Sequence, residues 1–257
     1  MSSWWEYWYV LPFAVAVSVV ANASGFSGAV LFQPFFAFVL GLPVHQSIAT
    51  GVATETIGMS SGTARYLLMR KVDLPAVVRL LPPVVLGVVV GVFVFAHASR
   101  DVLRLIVGLV VGGVALDRLL RLRSTHRAPE HADLRLLGRR RWVAGVAGAF
   151  SACTGTGVAE LSQPLLERSG GLSVKRANAT AIAVEAVADW LITATNLTLG
   201  NIRPEVLVFS ASGVLVGAQV GALLSPRLPD RLLKAVFGTC VLAIGAVYVT
   251  TATRALL

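Results

Sequence analysis

The sequence predicts an all-α integral membrane protein with two inverted-topology repeats of about five helical segments each, and a short broken or re-entrant helix in each repeat. Three observations predict it. Of 257 residues, 56% are hydrophobic and only 14% charged, with a mean hydropathy of +0.76; no water-soluble globule of this size needs such a balance. The apolar stretches have the length of spanning helices rather than the short alternation of barrel strands. Finally, the chain aligns with itself at one constant offset.

The chain begins with closely spaced aromatics, Trp4, Trp5, Tyr7, Trp8 and Tyr9, which read as an interfacial belt leading into the first helix. No basic leader or small-residue cleavage site precedes them, so no signal peptide is expected. Apolar segments follow at 8–24, 28–42, 45–69, 74–97, 102–120, 142–157, 158–168, 174–199, 205–226 and 231–253. Those at 28–42 and 158–168 are too short to cross comfortably. Each follows a run of small and polar residues, Ala21 to Gly28 and Ser151 to Gly157.

Gln163-Pro164 lies 130 positions after Gln33-Pro34, and the register then holds without a gap. Gly25 meets Gly155, Gly41-Leu42 meets Gly171-Leu172, Ala49-Thr50 meets Ala179-Thr180, and Glu55 meets Glu185. Thr63-Ala64 meets Thr193-Ala194, while Gly87, Gly91 and Gly108 meet Gly217, Gly221 and Gly238. The units are residues 1–122 and 141–257, joined by a basic cytoplasmic linker at 123–140. Five segments per unit is an odd number, so the second unit enters the membrane from the opposite side. With the arginine-rich linker inside, Arg65, Arg70, Lys71, Arg79, Arg168, Lys175, Arg176, Arg227, Arg231 and Lys234 fall inside as well. Arg100, Arg104, Arg203 and Arg254 fall outside, as do both termini.

The net charge of +9 is explained by this bias, so the bilayer and not nucleic acid is the expected partner. Cys153 and Cys240 lack ligand spacing and read as packing residues. No metal site or cofactor is expected. His97, His126 and His131 are assigned no role.

Inverted repeats bind substrate near the midplane, where interrupted helices aim free amides and positive dipole ends at an anion. Gly25, Ser27 and Gly28 in one unit, and Gly155, Thr156 and Gly157 in the other, offer such breaks. Hydroxyls of Ser24, Ser27, Ser151, Thr154 and Thr156 add donors; the competing reading is close helix packing through small residues. Gln33 and Gln163 either donate to substrate oxygens or replace the helix bond that Pro34 and Pro164 cannot make. Glu55, Glu160, Glu185 and Asp189 fall inside apolar segments, where an acid usually faces a cavity or changes protonation. A carboxyl taken out of water favours its neutral form, so these are the candidate proton-coupling groups, Glu55 and Glu185 foremost. Glu185 and Asp189 share one helix face. The alternative is that the acids pair with neighbours such as Arg79 and fix packing. Arg65 either meets the anion from the cytoplasmic side or merely follows the positive-inside bias.

The Gly-rich break before a short segment with a Pro-led apolar run (Gly25 to Phe36, Gly155 to Leu166) and the following Ala-Thr pairs resemble the TauE/SafE sulfite-exporter family. So do Ser61 to Leu67 with Val72-Asp73, and Leu199 to Ile202. The resemblance covers nearly the whole chain outside the linker. It implies a secondary carrier of small sulfur-containing anions, such as sulfite, sulfoacetate or other organosulfonates, coupled to protons, in a prokaryotic cytoplasmic membrane. Asn22, Thr50 and Thr180 then join the candidate substrate-binding residues. The family's glycine triplet is here only Gly25-Phe26-Ser27-Gly28 and Gly155-Thr156-Gly157, and Glu55, Glu160 and Asp189 are acidic where mainly neutral residues are expected. Two rival readings are a non-transporting membrane scaffold subunit and an intramembrane serine protease built on Ser27 with His97 as base.

Overall fold

The computed structural model describes residues 4–97 and 131–236, with 238, 239 and 242. The segment at 102–120, most of that at 231–253, the linker up to residue 130, and Arg100, Arg104, Gly108, His126, Cys240 and Arg254 lie outside the described residues, as does the His97 side chain.

Every regular element among the described residues is helical. After a 3-10 turn at Trp4–Tyr7 come α1 (Val10–Ser24), α2 (Ala29–Pro34), α3 (Val44–Leu68), α4 (Leu74–His97), α5 (Leu134–Arg140), α6 (Trp142–Thr154), α7 (Val158–Arg168), α8 (Val174–Thr198) and α9 (Pro204–Leu224). Helices α3 and α8 begin and end 130 residues apart, and α4 and α9 begin 130 apart. Pro34 has no N–H to give the helix, and the chain widens after it into a π turn at Phe35–Val39, where Leu40 N–H donates to Phe35 O at 3.3 Å. With that turn, α2 covers the same 11-residue length as α7. At about 1.5 Å per residue each reaches about 16 Å, half a bilayer core.

The linker expectation changes at its end. Residues 134–140 form α5, because Asp133 caps its first turn, accepting from Arg135 and Leu136 N–H at 2.9 and 3.1 Å, while Leu137 is buried. Ala132 N–H donates to Asp73 Oδ2 at 3.0 Å and Asp133 N–H to Gly170 O at 2.9 Å. His131, given no role from sequence, places Nδ1 3.5 Å from Asp73 Oδ2.

Helix α1 lies along α9, and α4 along α6. A Cβ on Gly217 would sit 2.5 Å from Val15 O, and one on Gly213 2.5 Å from Leu11 O; a Cβ on Gly87 would run into Gly145 O. Position 217 is 130 beyond 87, and 145 is 130 beyond 15, so the same close contact is made twice with the units exchanged. The central pair is α3 against α8, joined where Trp190 Nε1 donates to Ser60 Oγ at 3.0 Å and where Thr56 and Thr193 hydroxyls meet at 2.7 Å.

Between α1 and α2 the chain reverses. Tyr66, near the end of α3, donates to Asn22 O, whereas Glu55 at mid-helix meets Gly28 and Ala29, and a Cβ on Gly51 would lie 3.2 Å from Gln33 Cγ. Helix α2 therefore runs antiparallel to α3, and α1 and α2 form a hairpin whose tip is the Gly25–Gly28 break. The outer faces carry exposed Phe38, Leu68, Val78, Leu86, Trp142 and Val216, while the acids lie within. Leu74–Val92 and Pro204–Arg227 are long and apolar enough to cross a membrane.

Candidate functional site

Each first hairpin helix ends on a left-handed glycine, Gly25 (φ 84°) and Gly155 (φ 74°), whose N–H bonds back to Ala21 O and Ser151 O, both at 2.7 Å. This geometry costs glycine little and stops the helix, leaving amides of the next short helix without intrahelical partners.

At the first break those amides are taken by the protein's own carboxylates. Gly28 N–H donates to Glu55 Oε1 at 2.6 Å; Ser27 Oγ and Ala29 N–H donate to Glu55 Oε2 at 2.6 and 3.1 Å. Ser27 N–H donates to Glu160 Oε1 at 2.7 Å, so the second unit reaches the first unit's break. A small pocket adjoins it, lined by Asn22, Gly28, Phe32, Glu55 and Met59 among others. At the second break the Ala159 N–H approaches Glu185. Thr154 Oγ1 lies 2.9 Å from both Phe150 O and Thr156 O, and Thr156 N–H reaches it at 3.4 Å. The buried Ser151 hydroxyl has no partner.

Glu55, Glu160, Glu185 and Asp189 are each at most 2% exposed. Glu55, Glu185 and Asp189 each bring one oxygen within 4.8 Å of the others. Among the described residues no Lys or Arg forms an ion pair with any of the four; pairs elsewhere include His131 with Asp73 and Lys175 with Asp230. Arg79 instead lies against Gly138.

Both glutamines cross between units. Gln33 Nε2 donates to Thr154 O at 2.8 Å, a partner neither sequence reading named. A Cβ on Gly155 would lie 2.8 Å from Gln33 Nε2, and one on Gly25 2.6 Å from Gln163 Oε1. Gln163 Nε2 reaches Glu167 Oε1 at 3.4 Å. Thr50 and Thr180 serve helix starts: Thr50 Oγ1 accepts from Arg203 N–H and Thr180 Oγ1 from Asp73 N–H, both at 3.0 Å and again 130 apart. Ser24 Oγ donates to Val20 O at 2.6 Å, and Asn22 Nδ2 to Ser18 O at 3.1 Å. Arg65 donates from Nε to Gln219 Oε1 at 2.9 Å. It stands ten residues along α3 from Glu55, about 15 Å of helix rise.

Asn178 was missed by sequence reasoning. Its Nδ2 lies 2.8 Å from Ala23 O and 3.2 to 3.3 Å from Ser225 Oγ, Asn22 O and Tyr66 Oη, holding the tip of the first hairpin. An amide within an apolar segment was the available signal. Ser27 donates its hydroxyl proton to Glu55, and the side chain of His97, the base of the serine-protease reading, lies outside the described residues.

A helical chain that exposes Leu and Val while burying four carboxylates beside two helix breaks is a membrane protein with a polar interior site, the architecture of a carrier. The family model for the sulfite exporter TauE/SafE matches residues 10–248, and the chain belongs to that family, a family of transporters of small anions. No curated protein and no solved structure matches it.

Proposed function

We propose that this protein is a secondary carrier of small sulfur-containing oxyanions, sulfite or organosulfonates such as sulfoacetate, working by alternating access and coupled to protons. One observation carries the reading: donors from Ser27, Gly28 and Ala29 converge on the Glu55 carboxylate. A carboxylate is itself an oxyanion, and the cradle that holds it suits a sulfite or sulfonate oxygen pair equally. Substrate and Glu55 then compete for the same donors. A displaced Glu55, still buried and facing Glu160, Glu185 and Asp189, is neutralised by taking up a proton, so one proton accompanies one anion.

The reciprocal contacts support two units related by a two-fold axis. The odd number of segments and the basic residues gathered around Asp73, α5, Gly170 and Lys175 support inverted topology, with that end in the prokaryotic cytoplasm and both termini outside. On this reading α1–α2 and α6–α7 are re-entrant hairpins entering from opposite faces, their tips joined by Gln33 and Gln163.

The test is flux of sulfite and organosulfonates into proteoliposomes of purified protein, with and without a pH gradient. Wild type should respond to the gradient, and Glu55→Gln and Glu185→Gln should lose that response. Unchanged pH dependence in both variants sinks proton coupling; absence of any anion flux from correctly folded protein favours a scaffold subunit.

A further inference from the structure

We propose that Glu55, Glu185 and Asp189 form a binding site for one divalent metal cation of Ca2+ size, which anion carriage as described above does not require. Glu185 and Asp189 are i and i+4 on α8 and project from one face toward Glu55 on α3, bringing one oxygen from each within 4.8 Å of the others. Oxygens this close can share one ion bound at about 2.4 Å, as Ca2+ is; Mg2+ demands near-ideal octahedral geometry at about 2.1 Å and keeps several waters, which a buried all-carboxylate site suits poorly. The donors are all carboxylate oxygens, with neither thiolate nor imidazole, a set that suits a hard cation.

A second, independent observation points to a ligand. Both oxygens of Asp189 lack a hydrogen bond, and Glu185 is approached only by the Ala159 N–H, although these side chains are 0% exposed. Native interiors seldom leave such oxygens unpaired, because a buried charged acceptor without a partner is costly. Glu160, facing the group from α7, adds another unpaired oxygen, Oε2, and no described Lys or Arg answers them.

Charge selects the valence. With Glu160 the four carboxylates bring four negative charges, and the N-terminal ends of α2 and α7 offset about one of them, at about half a charge each. A divalent ion together with one proton balances the remainder. Protons and the metal ion are alternative occupants of the same oxygens.

Full-length protein in detergent, stripped with a chelator and dialysed, is titrated with Ca2+ and, separately, Mg2+ by calorimetry. One Ca2+ per chain is expected, with Mg2+ at least tenfold weaker. Asp189→Asn and Glu185→Gln, which keep the side-chain volume, should each weaken Ca2+ at least tenfold while remaining monodisperse; Ca2+ should raise the unfolding temperature of wild type but not of Asp189→Asn. No saturable Ca2+ binding at millimolar concentration, or binding equal in wild type and both variants, overturns the site. Anion flux is measured on the same preparation, so failure here is separable from failure of the carrier reading.

Discussion

If the Glu55 carboxylate occupies an anion cradle, removing it should create a site that a free anion can refill. Glu55→Ala takes the acceptor away from Ser27 Oγ–H, Gly28 N–H and Ala29 N–H, while Glu160 keeps the Ser27 N–H. Hydrogen bonds to a charged group contribute about 1.5–3 kcal/mol each. Three of them at the low end give about 4.5 kcal/mol, which corresponds to a Kd of about 0.5 mM for an anion that recovers them. The space an oxyanion would enter is the one the Glu55 carboxylate leaves, beside the small pocket lined by Asn22, Phe32 and Met59.

At a hundred times that Kd, bound anion stabilises the variant by about 2.7 kcal/mol. For a chain of this size that is a rise in unfolding temperature of roughly 5–11 °C. The assay is thermal unfolding of the detergent-solubilised variant in sulfite, methanesulfonate or acetate against chloride at equal ionic strength, followed by tryptophan fluorescence. Acetate belongs in the series because the cradle demonstrably fits a carboxylate. Wild type, with its own carboxylate in place, should shift less. An oxyanion shift in Glu55→Ala no larger than in wild type would refute the cradle as an exchangeable anion site.

Gly87→Ala should cost about 1–3 kcal/mol of stability through overlap with the Gly145 carbonyl, and Gly217→Ala should cost less, since its Cβ would stand 2.5 Å from Val15 O; thermal unfolding ranks the two. Thr50→Val and Thr180→Val each strand one backbone N–H, at Arg203 and Asp73, and should destabilise by about 1–3 kcal/mol apiece with little change in KM for the anion. Tyr66→Phe removes the donor to Asn22 O at 2.6 Å and should speed hydrogen exchange at residues 25–28 more than at the second break, which Gln33 ties through Thr154 O. Arg65→Gln should leave anion KM unchanged, because the guanidinium is held by Gln219 well away from Glu55; a raised KM would restore Arg65 to the substrate path.

Those outcomes turn on contacts of unequal legibility in the sequence. Helix positions were readable because apolar length and glycine breaks are local properties, and the 130-residue offset fixes α3 against α8 and α4 against α9 with no reference to packing. The acids were readable one by one, since a carboxyl inside an apolar run is costly wherever the run packs. Their convergence was not. Of the four, only Glu55 and Glu185 occupy matching register positions; Glu160 and Asp189 correspond to Val30 and Met59 in the first unit. A periodic reading therefore gives one acid per unit, each at its own break, whereas the fold brings all four together between the two breaks.

The same limit explains Thr50, Thr180 and the glutamines. Polar residues near a helix break look like substrate ligands when each unit is considered alone. Once α1 packs on α9 and α4 on α6, helix starts and hairpin tips of one unit lie within reach of the other, and their unpaired backbone groups need partners there. Thr50 and Thr180 meet that need at Arg203 and Asp73, and Gln33 meets it at Thr154. Glu55 is different: it occupies donors at a break in its own unit, beside a cavity, and its companions Glu185 and Asp189 have oxygens to spare. Side chains that satisfy the other unit's backbone are spent on holding the fold. Glu55, whose donors an anion can take over, and the carboxylates left with unpaired oxygens are the groups free to exchange a proton, an anion's place or a metal ion, and the chemistry of transport is to be sought there.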